Sequence, residues 1–572
     1  MTQLYEIEPS LLTSNIGCTI SVTKAMGQLA ITYLFALLVA KQSVQAFVPR
    51  FKGSGPAIVT QPSARFLGPK AMPVTRSRRE GLDLVMSLSE ASAKSTKVGE
   101  AETEVESADH RQSNQKAIRV IMKFGGSSLA NAERVDYVAS LIKSQIEQGY
   151  RPTVVCSAMG KTTNNLLNAG HFALEGSVYI DSLRTLHLST AQELGMGDEV
   201  LAALEELLDE LKNLLSGVSC LRELTPRTLD YLVSFGERLS VRIVAARLNQ
   251  LGVPAQHFES WSLGLRTNSD FGKAEILPES YSAIKEAMKK LDDSMVAVVT
   301  GFIGHDSEGR ITTLGRGGSD LTASTIGAAV PVDEIQVWKD VNGIMTANPK
   351  VVSNAVPVPF VSFEEASELA YFGAEILHPI SMVPAMRYNI QVRVKNSYNP
   401  DHPGTVILAD KDYTQLVTAI TSKRNVELLD IVSTWMLGQY GFLSRVFSIF
   451  EEQKVSVDCV ATSEVSISLT LDTKKQDDHA EDRLVKALSE IAAVTVHRDR
   501  AIISLIANVA RSSEVLSIVF NALKEAGIQV EMLSQGASKV NISLIVKDED
   551  AERCTQILHD RFFGESSAVG GV

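Results

Sequence analysis

Three short runs of β-branched and apolar residues, each stopping abruptly at a turn, constrain this chain more than any other feature. Ile118–Lys123 (IRVIMK) stops at Phe124-Gly125-Gly126-Ser127-Ser128, Met295–Thr300 (MVAVVT) at Gly301-Phe302-Ile303-Gly304, and Glu334–Lys339 (EIQVWK) at Asp340. Runs so short and apolar read as buried strands, and helical patterns such as Leu201–Leu215 lie between them. The alternation predicts an α/β protein of βαβ units, with a mostly parallel sheet covered by helices on both faces. Ligands of such a sheet are expected at the carboxyl ends of its strands.

Composition narrows the function. The 572 residues are 45% apolar and 21% charged, a globular composition with room for several domains. Asp and Glu outnumber Lys and Arg by 67 to 55, and no basic block recurs in the body, so a nucleic-acid partner is not expected. The five cysteines, Cys18, Cys156, Cys220, Cys459 and Cys554, form no C-x-x-C pair and read as reduced thiols. The ten histidines make no ligand spacing such as H-E-x-x-H. No protein-ligated metal is therefore expected, and any metal should arrive with the substrate.

Two glycine-rich turns carry chemistry, the one after Lys123 and a further one. In the first, adjacent glycines let backbone N–H groups approach a ligand, and the helix that follows adds partial positive charge where phosphate oxygens would sit. It is not a Walker A loop, because Lys123 precedes the glycines. The second turn, Thr313-Leu314-Gly315-Arg316-Gly317-Gly318-Ser319-Asp320, leads into the Ala-rich segment Leu321–Ala329. A pair of anion cradles in one body is harder to dismiss as mere tight turns than either alone.

KFGGSS (123–128), VSFGERLS (233–240), TLGRGGSDLTA (313–323) and ELAYFGAEILHP (368–379) together resemble aspartate kinases of the amino-acid kinase superfamily. The resemblance covers about residues 118–565, and VRVKNSYNPDHPGT (392–405) is similar to the monofunctional, lysine-sensitive plant type. It implies an amino-acid kinase fold and transfer of the γ-phosphoryl group of ATP to the side-chain carboxylate of L-aspartate, the first step of lysine, threonine and methionine biosynthesis. Mg²⁺ would be carried by the nucleotide. By the same resemblance Lys123 contacts the ATP phosphates and steadies the transferring group, with Gly125, Gly126 and Ser127 cradling them. Glu237 takes the α-amino group of aspartate, Arg316 its α-carboxylate with Ser319 beside it, and Asp320 organises Lys123. Asp320 reads equally as a helix N-cap. Asp340 is the expected nucleotide contact beyond the phosphates. Bacterial relatives carry Tyr and Lys where this chain has Met345 and Glu375, so those contacts do not carry over. The nearest rival is another amino-acid kinase such as acetylglutamate kinase, and the alternative outside enzymes is an amino-acid sensor with an inactive kinase body. Intact Lys123, Arg316 and Asp320 speak against the second.

Past Thr414 the chain repeats itself. Strands are expected at 426–432, 455–460 and 465–471 around a helix at 441–452, and again at 501–506, 528–532 and 539–546 around a helix at 514–526, with SKVNISLIV answering SEVSISLTL. Two ferredoxin-like βαββ modules of the ACT type, at 414–495 and 496–572, follow from that likeness. Met436, Gly441, Phe442, Asp458, Thr462, Ser463 and Glu464 match the lysine site of lysine-inhibited aspartate kinases. The second module has Arg511-Ser512-Ser513 in place of the Gly-Phe-Leu turn and is expected to serve pairing, giving a homodimer or a dimer of dimers.

The head of the chain is of other material. Residues 1–79 hold two acidic side chains, Glu6 and Glu8, against nine basic ones, and Leu29–Ala40 is an apolar run of signal-peptide length, too short to span a membrane. With Ala46-Phe47-Val48-Pro49 it resembles the bipartite presequence of algae with secondary plastids, which implies a mature protein of the plastid stroma with no membrane contact. Residues 80–116 are expected to be a linker without a core, and 117–410 the catalytic domain.

Overall fold

The structure is a computed structural model that describes residues 117–373, 377–411, 415–433, 440–472, 480–536 and 538–564. The presequence and linker, Glu375 and Met436 lie outside them. In chain order the catalytic part comprises β1 (Ile118–Phe124), α1 (Ala132–Glu147), β2 (Tyr150–Cys156), α2 (Thr162–Leu174), α3 (Asp181–Glu193), α4 (Asp198–Leu221), α5 (Pro226–Gln250), β3 (Ala255–Phe258) and α6 (Glu279–Met288). It continues with β4 (Val296–Thr300), β5 (Ile303–His305), β6 (Ile311–Thr313), α7 (Gly318–Ala329), β7 (Glu334–Lys339), β8 (Phe360–Ser362), α8 (Phe363–Tyr371), α9 (Pro379–Arg387), β9 (Val392–Asn396) and β10 (Thr405–Leu408). Among the described residues eight strands form one sheet in the order β3-β4-β2-β1-β7-β9-β10-β8, parallel except where β10 meets β9.

The sheet is covered on both faces, as continuous apolar strands require. On one face Val120, Met122, Phe124 and Trp338 pack with α1, α4 and α5, and on the other Ile121, Val155, Val299 and Val337 pack with α7. The first turn differs from a simple strand-to-helix step: Gly126–Leu129 forms a 3-10 turn, and α1 starts only at Ala132, capped by Asn131 Oδ1 accepting from Arg134 N at 3.0 Å. α7 begins earlier than the Ala-rich run suggests. Its N-cap is Gly317, so Ser319 and Asp320 lie in its first turn and Asp320 is not the cap.

The regulatory part comprises β11 (Val417–Val432), α10 (Phe442–Glu452), β12 (Val457–Thr462), β13 (Ser466–Asp472), α11 (Ala480–Ser489), β14 (Ala493–Ala507), α12 (Ser512–Ala526), β15 (Met532–Gln535), β16 (Asn541–Lys547) and α13 (Ala551–Phe563). Here the structure departs from two serial units divided at 495/496, because that division falls inside the long strand β14. Val417–Arg424 pairs with Ala501–Ala507 in the half of the sheet that holds β16, while Val426–Val432 pairs with β13 and with Ala493–Arg500. The first unit is thus inserted between the parts of the second. Asn425 (φ 58°) and Asp499 (φ 58°) sit in left-handed conformations at the break, where the ladder is irregular. Each unit also gains a second helix, α11 or α13, which packs its own core with Leu484 or Leu558. The strand expected at 528–532 runs from Met532 to Gln535, because Ile528 instead turns into the core behind the left-handed Gly527.

The two parts are joined by buried polar bonds. Glu365, fully buried at the start of α8, closes a capping box with Ser362 and also accepts from Thr418 Oγ1 at 2.7 Å and Lys411 Nζ at 3.2 Å. Ile420 N donates to Thr346 O at 2.8 Å, and the Thr346 hydroxyl lies 2.9 Å from His559 Nε2 on α13. β11 and α13 therefore grip the segment that follows β7.

Candidate active site

Lys123 is the penultimate residue of β1, and its ammonium lies 3.8 Å from the point where a Cβ on Gly125 would sit, so it faces the glycine turn. Gly126 cannot be replaced there. An added Cβ would meet the carbonyl oxygen of Ala158 at 2.8 Å, because the turn after β1 nests against the turn after β2, with Gly160 N donating to Gly126 O at 2.9 Å. Ser127 is exposed at this edge.

Asp320 reaches from α7 to Lys123, with Oδ1 2.6 Å from Nζ, and both residues are 6% exposed. Burial disfavours its charged form, but the ammonium groups of Lys123 and then Lys339 outweigh it, so its carboxyl lies below the ordinary range. The loop before α7 is shaped by Gly315 and Gly317, both at positive φ, with exposed Arg316 between them. A Cβ on Gly317 would strike His378 Cβ at 2.5 Å. Ser319 is buried beside Gly301, at the end of β4.

Glu237 enters from the middle of α5. It is 3% exposed, Oε1 accepts from Ala158 N at 3.1 Å, and Oε2 has no hydrogen-bond partner. Burial is the leading cause that pushes its carboxyl up to about 8, against the pull of the Ala158 N–H and the Lys123 ammonium. A buried carboxylate with one oxygen unmatched is built to meet a cation that arrives with a ligand. Asp340 is exposed one residue beyond β7, at the same edge of the sheet.

Sequence reasoning missed three neighbours. Asp230, two helical turns before Glu237 on α5, accepts from Gly272 N at 2.9 Å, Thr313 N at 2.9 Å and Thr313 Oγ1 at 2.8 Å, and so anchors the loop that carries Arg316. The seven-residue spacing from Glu237 puts both on one face of the helix, which was the available signal. His378, inside the quoted ELAYFGAEILHP motif, lies close enough to Asp320 to lower its carboxyl further when the imidazole is protonated. Lys339 Nζ lies 3.8 Å from Asp320 Oδ2. Asp230→Asn weakens this anchor without changing its shape; its KM for the amino acid is expected to rise roughly tenfold while that for the nucleotide moves less than about threefold. Steady-state kinetics in both substrates checks this, and equal shifts would show a general loosening.

The regulatory residues are only partly brought together. Thr462, Ser463 and Glu464 form an exposed hairpin turn held by Ser463 N donating to Ser466 O at 2.8 Å. Ser433 N donates to Val465 O at 3.1 Å, which sets this turn beside the end of β11, and Gly441 is the N-cap of α10. Two expected contacts differ. The Phe442 side chain is buried in the core of the first unit, and Asp458 is already engaged, its side chain 1% exposed. Lys423 Nζ lies 2.6 Å from Asp458 Oδ2, and Tyr371 OH donates to Oδ1 at 2.7 Å. The cause is tertiary: β12 folds against α8, which delivers partners that local sequence does not reveal.

Among the described residues no group of three or more His, Cys, Asp and Glu side chains is placed to hold a metal ion, and no helix is long and apolar enough to cross a membrane. A cavity of about 550 Å³ opens at the opposite, amino edge of the sheet, lined by Arg119, Arg151, Lys285, Lys289 and Val332. It contains none of the candidate site residues, so the carboxyl edge is the candidate site on chemical grounds.

The chain is similar to known proteins over most of its length. Residues 119–396 match the amino acid kinase family, and residues 503–562 match the ACT domain. The chain is 51% identical over 466 residues to aspartokinase 1, chloroplastic, of Arabidopsis thaliana, covering 79% of this chain and 81% of that protein. Among solved structures, E. coli aspartokinase III in complex with aspartate and ADP (R-state) superimposes with a TM-score of 0.66 at 34% identity, covering 78% of this chain and 99% of that one. The same enzyme in complex with lysine and aspartate (T-state) gives 0.64 at 33% identity, over the same shares.

Proposed function

The chain belongs to the aspartokinases of the amino acid kinase family, and from that premise we propose how its residues divide the work and how its activity is controlled. The single observation that carries the reading is the buried Lys123–Asp320 pair beside the glycine turn, with the unmatched carboxylate of Glu237 close by.

ATP and L-aspartate meet at the carboxyl edge of the sheet. The nucleophile, a side-chain carboxylate with an ordinary pKa of ~3.9, is already ionised near neutral pH and needs no general base. What the protein has to supply is alignment of two anions and neutralisation of charge on the moving phosphoryl group. Lys123 faces the transferring group and the N–H groups around Gly125, Gly126 and Ser127 cradle the phosphates. Asp320 fixes the Lys123 ammonium. Glu237 receives the α-ammonium of aspartate, and the planar fork of Arg316 receives its α-carboxylate, with Ser319 alongside. Asp340 contacts the nucleoside. The donor set suits Mg²⁺ carried on the phosphates, since Asp320 is engaged by lysines; bound there, Mg²⁺ would spread the phosphate charge. The product, 4-phospho-L-aspartate, opens lysine, threonine and methionine biosynthesis.

Lysine inhibition is the proposed control, supported by the lysine complex of the E. coli enzyme. The exposed Glu464 turn and the helix start at Gly441 are suited to the ammonium and carboxylate of a free amino acid. Thr462 and Ser463 supply further oxygens, and Met436 belongs to the same segment of the sequence. Asp458 has a different part to play here, as the tie between α8 and the regulatory sheet, and lysine binding would act by disturbing it. A homodimer or dimer of dimers through the ACT units is proposed as the assembly that switches. Millimolar lysine is expected to suppress hydroxamate formation from ATP and aspartate at least tenfold in wild type and much less in Glu464→Gln, by an order-of-magnitude estimate. Unchanged wild-type activity in millimolar lysine would sink the proposal, and sedimentation with and without lysine reports the assembly.

Plastid localisation is supported by the chloroplastic relatives. The finer proposal is a bipartite presequence of a secondary-plastid alga, with its junction at Ala46–Pro49. A fluorescent protein fused behind residues 1–79 is expected in the plastid; signal in the cytosol or medium would refute it.

A further inference from the structure

The central strand β1 carries a lysine at its penultimate position and β7 ends in one, and the mechanism above uses only the first. They are parallel neighbours, in register Lys123 with Val337 and Phe124 with Trp338. Side chains alternate between faces along a strand, so Lys339, two residues beyond Val337, leaves the sheet on the same face as Lys123 and one step nearer the carboxyl edge. The opposite face takes Phe124 and Trp338, whose rings stack at 5.9 Å.

Asp320 lies between the ammonium groups, 2.6 Å from Lys123 and 3.8 Å from Lys339. One carboxylate is thus flanked by two cations beside the glycine turn. Lys339 is the more open of the two, with its side chain 23% exposed against 7% for Lys123. Its backbone is held in place: Ser397 N donates to Lys339 O at 2.7 Å, and Ser397 Oγ lies 2.9 Å from Ser128 Oγ. A single residue therefore ties the end of β7 to the turn that would cradle phosphate. An ammonium is a compact charge with three donors, able to take a phosphate oxygen without its strand moving.

We infer that Lys339 is a second phosphate-binding cation of this kinase, closing on the nucleotide's phosphates from the β7 side while Lys123 holds them from the β1 side. The inference rests on the proposed nucleotide site at the first glycine turn. The bland alternative is that Lys339 only secures Asp320, and the two differ in which ligand is lost.

The test is calorimetric titration of the intact enzyme with Mg²⁺ and ADP, and separately with aspartate. Lys339→Met is expected to weaken ADP binding roughly tenfold to a hundredfold, the range of a lost charge-assisted contact, while Lys339→Arg stays within about threefold of wild type. Aspartate affinity is expected to stay within about twofold in both. ADP binding by Lys339→Met within about twofold of wild type overturns the inference, as does an equal loss of ADP and aspartate, which would mark a role through Asp320 alone. Lys123→Met in parallel separates the levels. Normal ADP affinity in both variants would mean the nucleotide lies elsewhere, whereas normal affinity in Lys339→Met only would count against Lys339 alone. Lys339→Gln, checked by circular dichroism, stands in if the methionine variant does not fold.

Discussion

Lys123→Met is expected to lower turnover by roughly a thousandfold, the upper range for removing one preorganised donor to developing charge. The fold should survive. Lys123 sits at the end of a strand whose preceding residues carry the apolar packing, and Asp320, left buried, retains Lys339 at 3.8 Å as a partner. Breaking a buried pair still costs about 3–5 kcal/mol where nothing compensates, so a lowered melting temperature should accompany the loss. Asp320→Asn tests the same pair from the other side, keeping shape but releasing the ammonium, and should slow turnover by roughly a hundredfold. Hydroxamate formation measures both rates. A near-wild-type rate in a folded variant would remove that residue from the mechanism.

The KM for aspartate is expected to fall as pH rises from 7 towards 8 and then to level off. Burial, the leading influence, raises the Glu237 carboxyl to about 8, so at pH 7 the empty site holds it mostly neutral. The arriving α-ammonium needs the ionised form, so binding releases a proton. Below its pKa each pH unit then weakens binding by up to about tenfold, and above it the dependence vanishes until the substrate's own amino group loses its proton. Glu237→Gln is neutral at every pH. It should raise KM at pH 8.5 by roughly a hundredfold, as expected for loss of a buried charge-assisted pair, and abolish the slope between pH 7 and 8. A flat wild-type profile over that interval would mean that Glu237 does not receive the ammonium.

Much of the catalytic part was legible in the chain. The apolar run Glu334–Lys339 is β7 with the same bounds, and Ile118–Lys123 is β1 but for Phe124. A pair of adjacent glycines marks where β1 stops, because it breaks the pattern locally. The tail was less legible. Ala493–Arg500 alternates apolar and polar residues weakly and leaves much of its surface exposed, so the lengthening of β14, and with it the insertion of one ACT unit into the other, had no strong local signal. By sequence Asp458 belongs to the expected lysine site, and the structure gives it to Lys423 and Tyr371.

The sequence by itself determined the elements and the chemical inventory: buried strands, glycine turns, a lysine, two carboxylates and an arginine in a recognisable order. These depend on interactions within a few residues, which periodicity and turn chemistry report directly. Only the tertiary structure decided that Asp320 meets Lys123, that Asp230 anchors the Arg316 loop, and that Lys339 shares Asp320's carboxylate. Only it made Glu237 a neutral acid near pH 7. Ionisation and pairing follow from distance and burial, and both are set by packing between segments far apart in the chain.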